Sequence, residues 1–146
     1  MNYARVIAAG VVAFVVSMGV GFFVNEVLLA DIYMANAAAL RSEEAMYGTL
    51  PVGFVFLLVG FLAFAYAYAK GYEGGTGWIE GLRFGLVTWV IVTGFGLIWQ
   101  WVLYPIDTAM ATAIIVDSAI ELAIYGAIVG AIYKPAASRA SRPAAL

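Results

Sequence analysis

Four long apolar stretches constrain this chain more than any other feature of its sequence. They cover approximately residues 6–30, 50–69, 79–104 and 108–133. A helix needs about 20 apolar residues to cross a hydrocarbon core of roughly 30 Å, and each stretch reaches that length. Strands of a membrane β-barrel would instead alternate polar and apolar residues over about 10 positions. We therefore predict an all-α integral membrane protein with four transmembrane helices.

Composition excludes a soluble enzyme. The 146 residues are 65% hydrophobic and 11% charged, whereas soluble domains contain about 45–50% apolar and about 25% charged residues. A single domain of this size cannot bury so much apolar surface. The chain has neither Cys nor His, which excludes disulfides, thiolate and imidazole metal sites, and Ser-His-Asp catalysis. We expect no cofactor, no bound metal and no nucleic-acid partner, and a protein that is not an enzyme.

The connections between the stretches are polar. Residues 31–48 form a long loop with room for a short interfacial helix, and the glycine-rich residues 70–77 form a turn. Between the third and fourth stretches lies a tight hairpin, in which Asp107 or Thr108 can cap the last helix. We predict one domain over residues 1–134 and a disordered cytoplasmic tail over residues 135–146.

Basic residues orient the spans. One side of the membrane receives the N-terminus, the second loop and the C-terminus, and it carries Arg5, Lys70, Arg83, Lys134, Arg139 and Arg142. Only Arg41 falls on the other side. Because cytoplasmic segments carry an excess of Lys and Arg, we predict an antiparallel bundle in the bacterial inner membrane with both termini cytoplasmic.

Aromatic side chains gather near both predicted interfaces. The outer group is Tyr33, Tyr47, Trp99, Trp101 and Tyr104, and the inner group is Tyr66, Tyr68, Tyr72, Trp78 and Tyr133. Amphipathic rings prefer the headgroup depth. We interpret both groups as interfacial belts, with a ligand pocket as the alternative.

Two acids interrupt the fourth span. Asp117 and Glu121 are four residues apart and share one helix face, which Tyr125 continues. A rise of about 1.5 Å per residue places Asp117 near the bilayer midplane. Since desolvation and mutual repulsion disfavour two charges, we expect a shared proton or a bound cation. The alternatives are a polar contact between helices and a contact with another subunit.

Two further stripes follow helical spacing: Trp89, Thr93, Gly96 and Gln100 on the third span, and Ser17, Gly21 and Asn25 on the first. We predict that they pack with the acids as a polar seam, while the second span faces lipid more than its neighbours. Glu26 lies near the outer end of the first span, where it can meet Gln100. Glu80 and Arg83 have the spacing of an i,i+3 ion pair.

Small residues mark close helix packing. Gly126 and Gly130 lie on the face of the fourth span opposite the acids, while Gly81 and Gly85 line the third span and Gly21 the first. Such faces join helices within one chain or between subunits. They favour a homo-oligomer or a larger membrane complex as the partner of this chain, besides the lipid bilayer.

Short sequence patterns carry a resemblance. They are Leu-Arg-Phe-Gly-Leu at the start of the third span, the Tyr-Pro hairpin at residues 104–105, and the closing run of residues 121–133. On these the chain resembles small bacterial four-span integral membrane proteins of unknown function. In size it also resembles small four-helix multidrug transporters. Those have a glutamate deep in the first span, whereas Glu26 here lies near the end of that span.

Two functional hypotheses follow from these patterns. The first is a small non-enzymatic accessory or self-associating subunit that packs through its small-residue faces. The second is a proton- or cation-coupled carrier of a small solute that uses Asp117 and Glu121. In the second hypothesis, the polar seam guides the solute.

Overall fold

The computed structural model describes residues 1–134, and in that range the chain forms helices and no strand. The all-α prediction is confirmed for this part of the chain. The tail predicted for residues 135–146 lies outside the described residues.

Four helical segments are long and apolar enough to cross a membrane: Tyr3–Leu28, Glu43–Gly71, Gly77–Leu103 and Thr108–Ile132. Each overlaps one predicted stretch, as expected of a multi-pass membrane protein. The second segment begins at Glu43 rather than near residue 50, because Ser42 caps it by accepting the N–H of Ala45 at 3.4 Å. Glu43 and Glu44 occupy its first turn, where the helix dipole favours carboxylates.

The helices in chain order are α1 (Tyr3–Phe23), α2 (Ala30–Ala35), α3 (Glu43–Gly71), α4 (Gly77–Val92), α5 (Ile98–Leu103) and α6 (Thr108–Ile132). Much of the predicted first loop is therefore helical. Two π-helical turns continue α1 and α4, at Val24–Leu28 and Thr93–Leu97. Such turns leave local backbone geometry irregular and occur often at functional sites.

Glycines bring α4 and α6 into close contact. Three approaches follow one another along the pair: Gly77 with Gly130, Gly81 with Gly126, and Gly85 with Leu122. A Cβ atom on Gly81 would overlap the carbonyl of Gly126, and the reverse substitution would overlap Gly81. The structure therefore places these small residues at a helix contact, and that contact lies within one chain.

A different glycine joins α1 to α3. A Cβ on Gly10 would lie 3.0 Å from the Phe61 carbonyl oxygen and 3.1 Å from the Leu62 Cα. Gly21 makes no comparable contact with another helix, since the atom found near a Cβ added there belongs to the Asn25 side chain of its own segment, at 3.9 Å.

The main buried cluster lies at the end of the fold that holds Val6, Tyr68, Gly77 and Tyr133, which we call the terminal end. It comprises Val6, Ala9, Ala13, Phe61, Ala65, Tyr68, Tyr125, Val129 and Tyr133. The Tyr68 hydroxyl donates to the Gly77 carbonyl at 3.0 Å. The prediction that Tyr68 and Tyr133 belong to an interfacial belt is therefore wrong, since both are buried in the core.

The opposite end holds Asn36 and Asp107, and we call it the loop end. The backbone N–H of Asp107 donates to the Asn36 Oδ1 at 2.9 Å. Asp107 in turn caps α6 by accepting the N–H of Met110 at 2.7 Å, as the sequence predicts. No residue from 43 to 60 or from 86 to 104 is buried.

Burial differs among the four spans. In the most apolar stretch of each, the buried share of residues is 28%, 11%, 0% and 22% in chain order. The second span is less buried than the first and the fourth, but the prediction that it is more exposed than both its neighbours is wrong for the third. The third is less buried still, because its glycine contacts with α6 are confined to its first half.

Candidate functional site

The candidate site is one face of α6. Asp117, Glu121 and Tyr125 lie one helical turn apart, and both acids are partly buried. The Tyr125 ring packs edge-on against Phe61 with 5.1 Å between ring centroids, so this face of α6 points towards α3 and the core. The structure thus places the acid pair directly above the buried cluster, on the loop-end side.

The Tyr125 hydroxyl is buried beside the Glu121 carboxylate. The side chain is 4% exposed, and its oxygen makes no hydrogen bond of standard geometry within the described residues, but the Glu121 carboxylate is close enough to interact with it. Leaving a buried polar group unpaired costs about 1–3 kcal/mol. The hydroxyl lies one turn from Glu121, so it would be close to a proton or other small ligand bound at the acids.

A second phenol approaches the acids from the loop end. Tyr33 on α2 is half-buried, and α2 packs against α6. Burial raises the pKa of the Tyr33 phenol, and the carboxylates of Asp117 and Glu121 raise that pKa further. Tyr33 therefore lies within electrostatic reach of both acids. Its predicted place in an outer aromatic belt does not anticipate this interaction.

Ser17 is the polar residue of α1 that lies at the level of Glu121. Ala13 and Tyr125 share the buried cluster, and Ser17 and Glu121 each lie one turn further towards the loop end. Ser17 is buried, and its hydroxyl donates to the Phe14 carbonyl at 2.7 Å. The proton of this hydroxyl is thus engaged, while the oxygen still has acceptor capacity.

The third span contributes only part of its predicted stripe. The Trp89 Nε1 donates to the Ile115 carbonyl on α6 at 2.9 Å. The Thr93 hydroxyl is buried and, in the described part of the chain, has no hydrogen-bond partner. Gln100 is exposed. Trp89 therefore contacts α6 on the face of the glycine contacts, opposite Asp117, and the described contacts do not bring Gln100 to α6.

The acid and amide near the end of the first span stand apart from the site. Asn25 and Glu26 are both exposed. The Asn25 Nδ2 donates to the Gly21 carbonyl of its own helix at 2.7 Å. Both side chains lie in the π-helical turn Val24–Leu28 and on the surface of the fold, away from the acids on α6.

At the terminal end, Glu80 binds the glycine-rich loop. Its carboxylate accepts the N–H groups of Glu73 at 2.6 Å and Gly75 at 2.9 Å. The Glu80 carboxylate thus binds these backbone N–H groups instead of forming the predicted ion pair with Arg83. Arg83 lines an open cavity of about 510 Å³ beside the loop. The loop is thus held in place by a carboxylate from α4.

Sequence reasoning misses the contacts that Tyr33 and Asn36 make. Asn36 is buried and joins two connecting segments, since it donates to the Ile32 carbonyl at 3.0 Å and accepts from Asp107. One sequence feature could have indicated these contacts. Tyr33 and Asn36 are three residues apart, a spacing that places both on one side of a short helix.

The acids of the site do not belong to a metal-binding cluster. Among residues 1–134, no three His, Cys, Asp or Glu side chains are grouped so that they could hold a metal ion. Any cation at Asp117 and Glu121 would therefore be held by two carboxylates and by neutral oxygens.

Comparison with known proteins adds no relative. No known protein family, no curated protein and no solved structure matches the chain. The candidate site therefore rests on the geometry of α6 and the helices around it.

Proposed function

We propose that the chain is a small, non-enzymatic membrane carrier that couples proton or cation binding at Asp117 and Glu121 to movement of a small solute. The observation that carries the proposal is the grouping of two partly buried acids with the buried hydroxyl of Tyr125, which lies beside Glu121. Ionisable groups at membrane depth are costly and typically mark ion or proton pathways.

A proton or cation removes the electrostatic difficulty of this arrangement. Two carboxylates one turn apart repel each other, and the surrounding hydrocarbon solvates neither. One bound proton or cation reduces the net charge of the pair. Tyr125 and Tyr33 then offer hydroxyl groups on either side of the acids.

The proposed topology is an antiparallel four-helix bundle in the bacterial inner membrane with both termini cytoplasmic. The distribution of basic residues supports this orientation, because among residues 1–134 only Arg41 falls at the loop end. The terminal end would then face the cytoplasm, and α2 with Asn36 would face the outside.

A second candidate function is an accessory or self-associating subunit of a membrane complex. The observation that favours it is the absence of any buried residue between positions 43 and 60, so half of α3 is available to lipid or to another helix. The glycine faces do not support it, because Gly81, Gly85, Gly126 and Gly130 are occupied within the chain. Gentle purification from native membranes would test it, since a stoichiometric partner would support it and a chain that runs alone would contradict it.

Flux measurements test the carrier. The protein is reconstituted into vesicles that contain trapped pH-sensitive and sodium-sensitive dyes, and proton and sodium gradients are applied in turn. We expect the wild type to dissipate one of the gradients, and Asp117→Asn and Glu121→Gln to abolish that flux. Glu26→Gln is the matched control, because Glu26 is an exposed acid outside the site. Unchanged flux in both site variants would exclude the carrier.

A further inference from the structure

The short helix α2 presents one side to α6 and the other to the surroundings. Tyr33 is half-buried, whereas Asp31 and Met34 are exposed. Because α2 packs against α6 and the Tyr33 phenol interacts electrostatically with Asp117 and Glu121, the half-buried Tyr33 ring lies near the face that carries the acids. Part of the chain thus lies between the acid pair and the loop end.

A single side chain ties α2 to the helix that carries the acids. Asn36, at the end of α2, accepts the N–H of Asp107 at 2.9 Å, and Asp107 caps α6. Asn36 also donates to the Ile32 carbonyl within α2 at 3.0 Å. A helix of six residues is not stable in isolation, so the position of α2 depends on this tie and on its packing.

The opposite end of α2 adjoins irregular backbone. The π-helical turn Val24–Leu28 is followed by Leu29, which is outside the helical region with φ −108° and ψ 4°. Hinges are typically a few residues at the ends of elements that absorb changes in φ and ψ. The segment from Val24 to Leu29 has this position, between the rigid part of α1 and the short helix.

We propose that α2 is the loop-end gate of the acid site, that the Tyr33 ring covers Asp117 and Glu121, and that the Asn36–Asp107 hydrogen bond holds the gate closed. This inference rests on the proposed function, because a gate would control access of ions or solute to the acid site. The burial-raised pKa of Tyr33 fits this role, because the phenol stays neutral at physiological pH and adds no charge to the site.

The test uses a cysteine as a reporter at the site. The chain contains no Cys, so Asp117→Cys provides one reactive thiol. Its rate of modification by a membrane-impermeant maleimide, measured in lipid nanodiscs, reports water access to the acid position. Each gate variant is compared with Asp117→Cys alone.

Opening the gate should accelerate labelling. We expect Asn36→Ala to raise the rate about thirtyfold, because it leaves the Asp107 N–H without its acceptor in the closed state. We expect Tyr33→Ala to raise it at least as much, and Tyr33→Phe to leave it nearly unchanged because the ring remains. Tyr47→Ala is the matched control, since Tyr47 is an exposed tyrosine on the loop-end half of α3.

Two results would overturn the gate. One is a labelling rate that neither Asn36→Ala nor Tyr33→Ala increases. The other is an equal increase in Tyr47→Ala or in Tyr33→Phe, which would show general loosening of the fold or no covering role for the ring. Asn36→Ala leaves Tyr33 intact, so the two variants test the gate independently.

The outcome is separable from that of the proposed function. If Asp117→Asn and Glu121→Gln abolish flux while gate variants leave labelling unchanged, the carrier stands and the gate fails. If gate variants accelerate labelling while both site variants leave flux unchanged, the gate stands and the carrier fails.

Discussion

The two ends of the helical fold are built differently. The terminal end joins its helices by glycine contacts between α4 and α6 and by a cluster of aromatic rings around Tyr68. The loop end is more open, since the adjoining halves of the second and third spans bury no residue. It holds its segments by a few polar contacts, of which the Asn36–Asp107 hydrogen bond is the longest in sequence separation.

This difference places the acid pair at a boundary. Tyr125 belongs to the packed cluster, while Glu121 and Asp117 lie on its loop-end side, and both π-helical turns lie in the more open half. Densely packed regions resist local opening, whereas regions with few buried contacts open at low free energy. The terminal end therefore supplies a rigid base, and movement that exposes the acids is expected at the loop end.

The largest expected effect is at the glycine contact of the terminal end. We expect Gly81→Ala to lower the free energy of unfolding by about 3 kcal/mol, because the added Cβ would overlap the Gly126 backbone, which has no free rotamer to adopt. The measurement is equilibrium unfolding in mixed detergent micelles, followed by tryptophan fluorescence.

Gly60→Ala is the matched control for this contact. Gly60 lies in α3 with no atom near its added Cβ, so we expect alanine to be neutral or to stabilise by about 0.5–1 kcal/mol through helix propensity. Equal destabilisation by the two substitutions would contradict the view that the terminal end is the rigid base.

The next effect concerns the tie at the loop end. We expect Asn36→Ala to cost about 2 kcal/mol, because it leaves the Asp107 N–H without its acceptor. Hydrogen exchange followed by mass spectrometry should show faster exchange in residues 29–36 and unchanged exchange in α4. Asn25→Ala serves as the control, since Asn25 is exposed and binds its own helix. Faster exchange throughout the chain would show that the loop end is not a separate unit.

The sequence predicts what depends on composition and local chemistry. Four apolar stretches give the spans, and Asp107 before the last stretch gives its cap. The amphipathic character of rings such as Tyr68 and Tyr33 predicts headgroup depth, but helix packing buries the first and half-buries the second. The π-helical turns have no distinctive residue pattern, since they arise from a shift in backbone hydrogen bonding.

A smaller effect separates two buried tyrosines. We expect Tyr68→Phe to lower the free energy of unfolding by about 1 kcal/mol, because its hydroxyl donates to the Gly77 carbonyl. We expect Tyr125→Phe to cost less than Tyr68→Phe, because the Tyr125 hydroxyl lies beside Glu121 but makes no hydrogen bond of standard geometry among the described residues. The same unfolding assay applies to both. Matching losses would mean that the Tyr125 hydroxyl is fully hydrogen-bonded to Glu121 in the folded protein, so that it would not be free to serve a ligand at the acids.

The smallest effect is the titration of Tyr33, which is read from the difference in phenolate absorbance between the wild type and Tyr33→Phe. Burial and the charges of Asp117 and Glu121 all raise its pKa above the ordinary value of 10.0. The stabilising contribution of the neutral phenol is therefore complete below that pH and is lost as the pH rises through the folded-state pKa. Replacing both acids by their amides, through Asp117→Asn and Glu121→Gln, should move the pKa part of the way back, since burial remains. A Tyr33 pKa that is unchanged by the double substitution would place the phenol too far from the acids to cover them, and the loop end would then be open above the site.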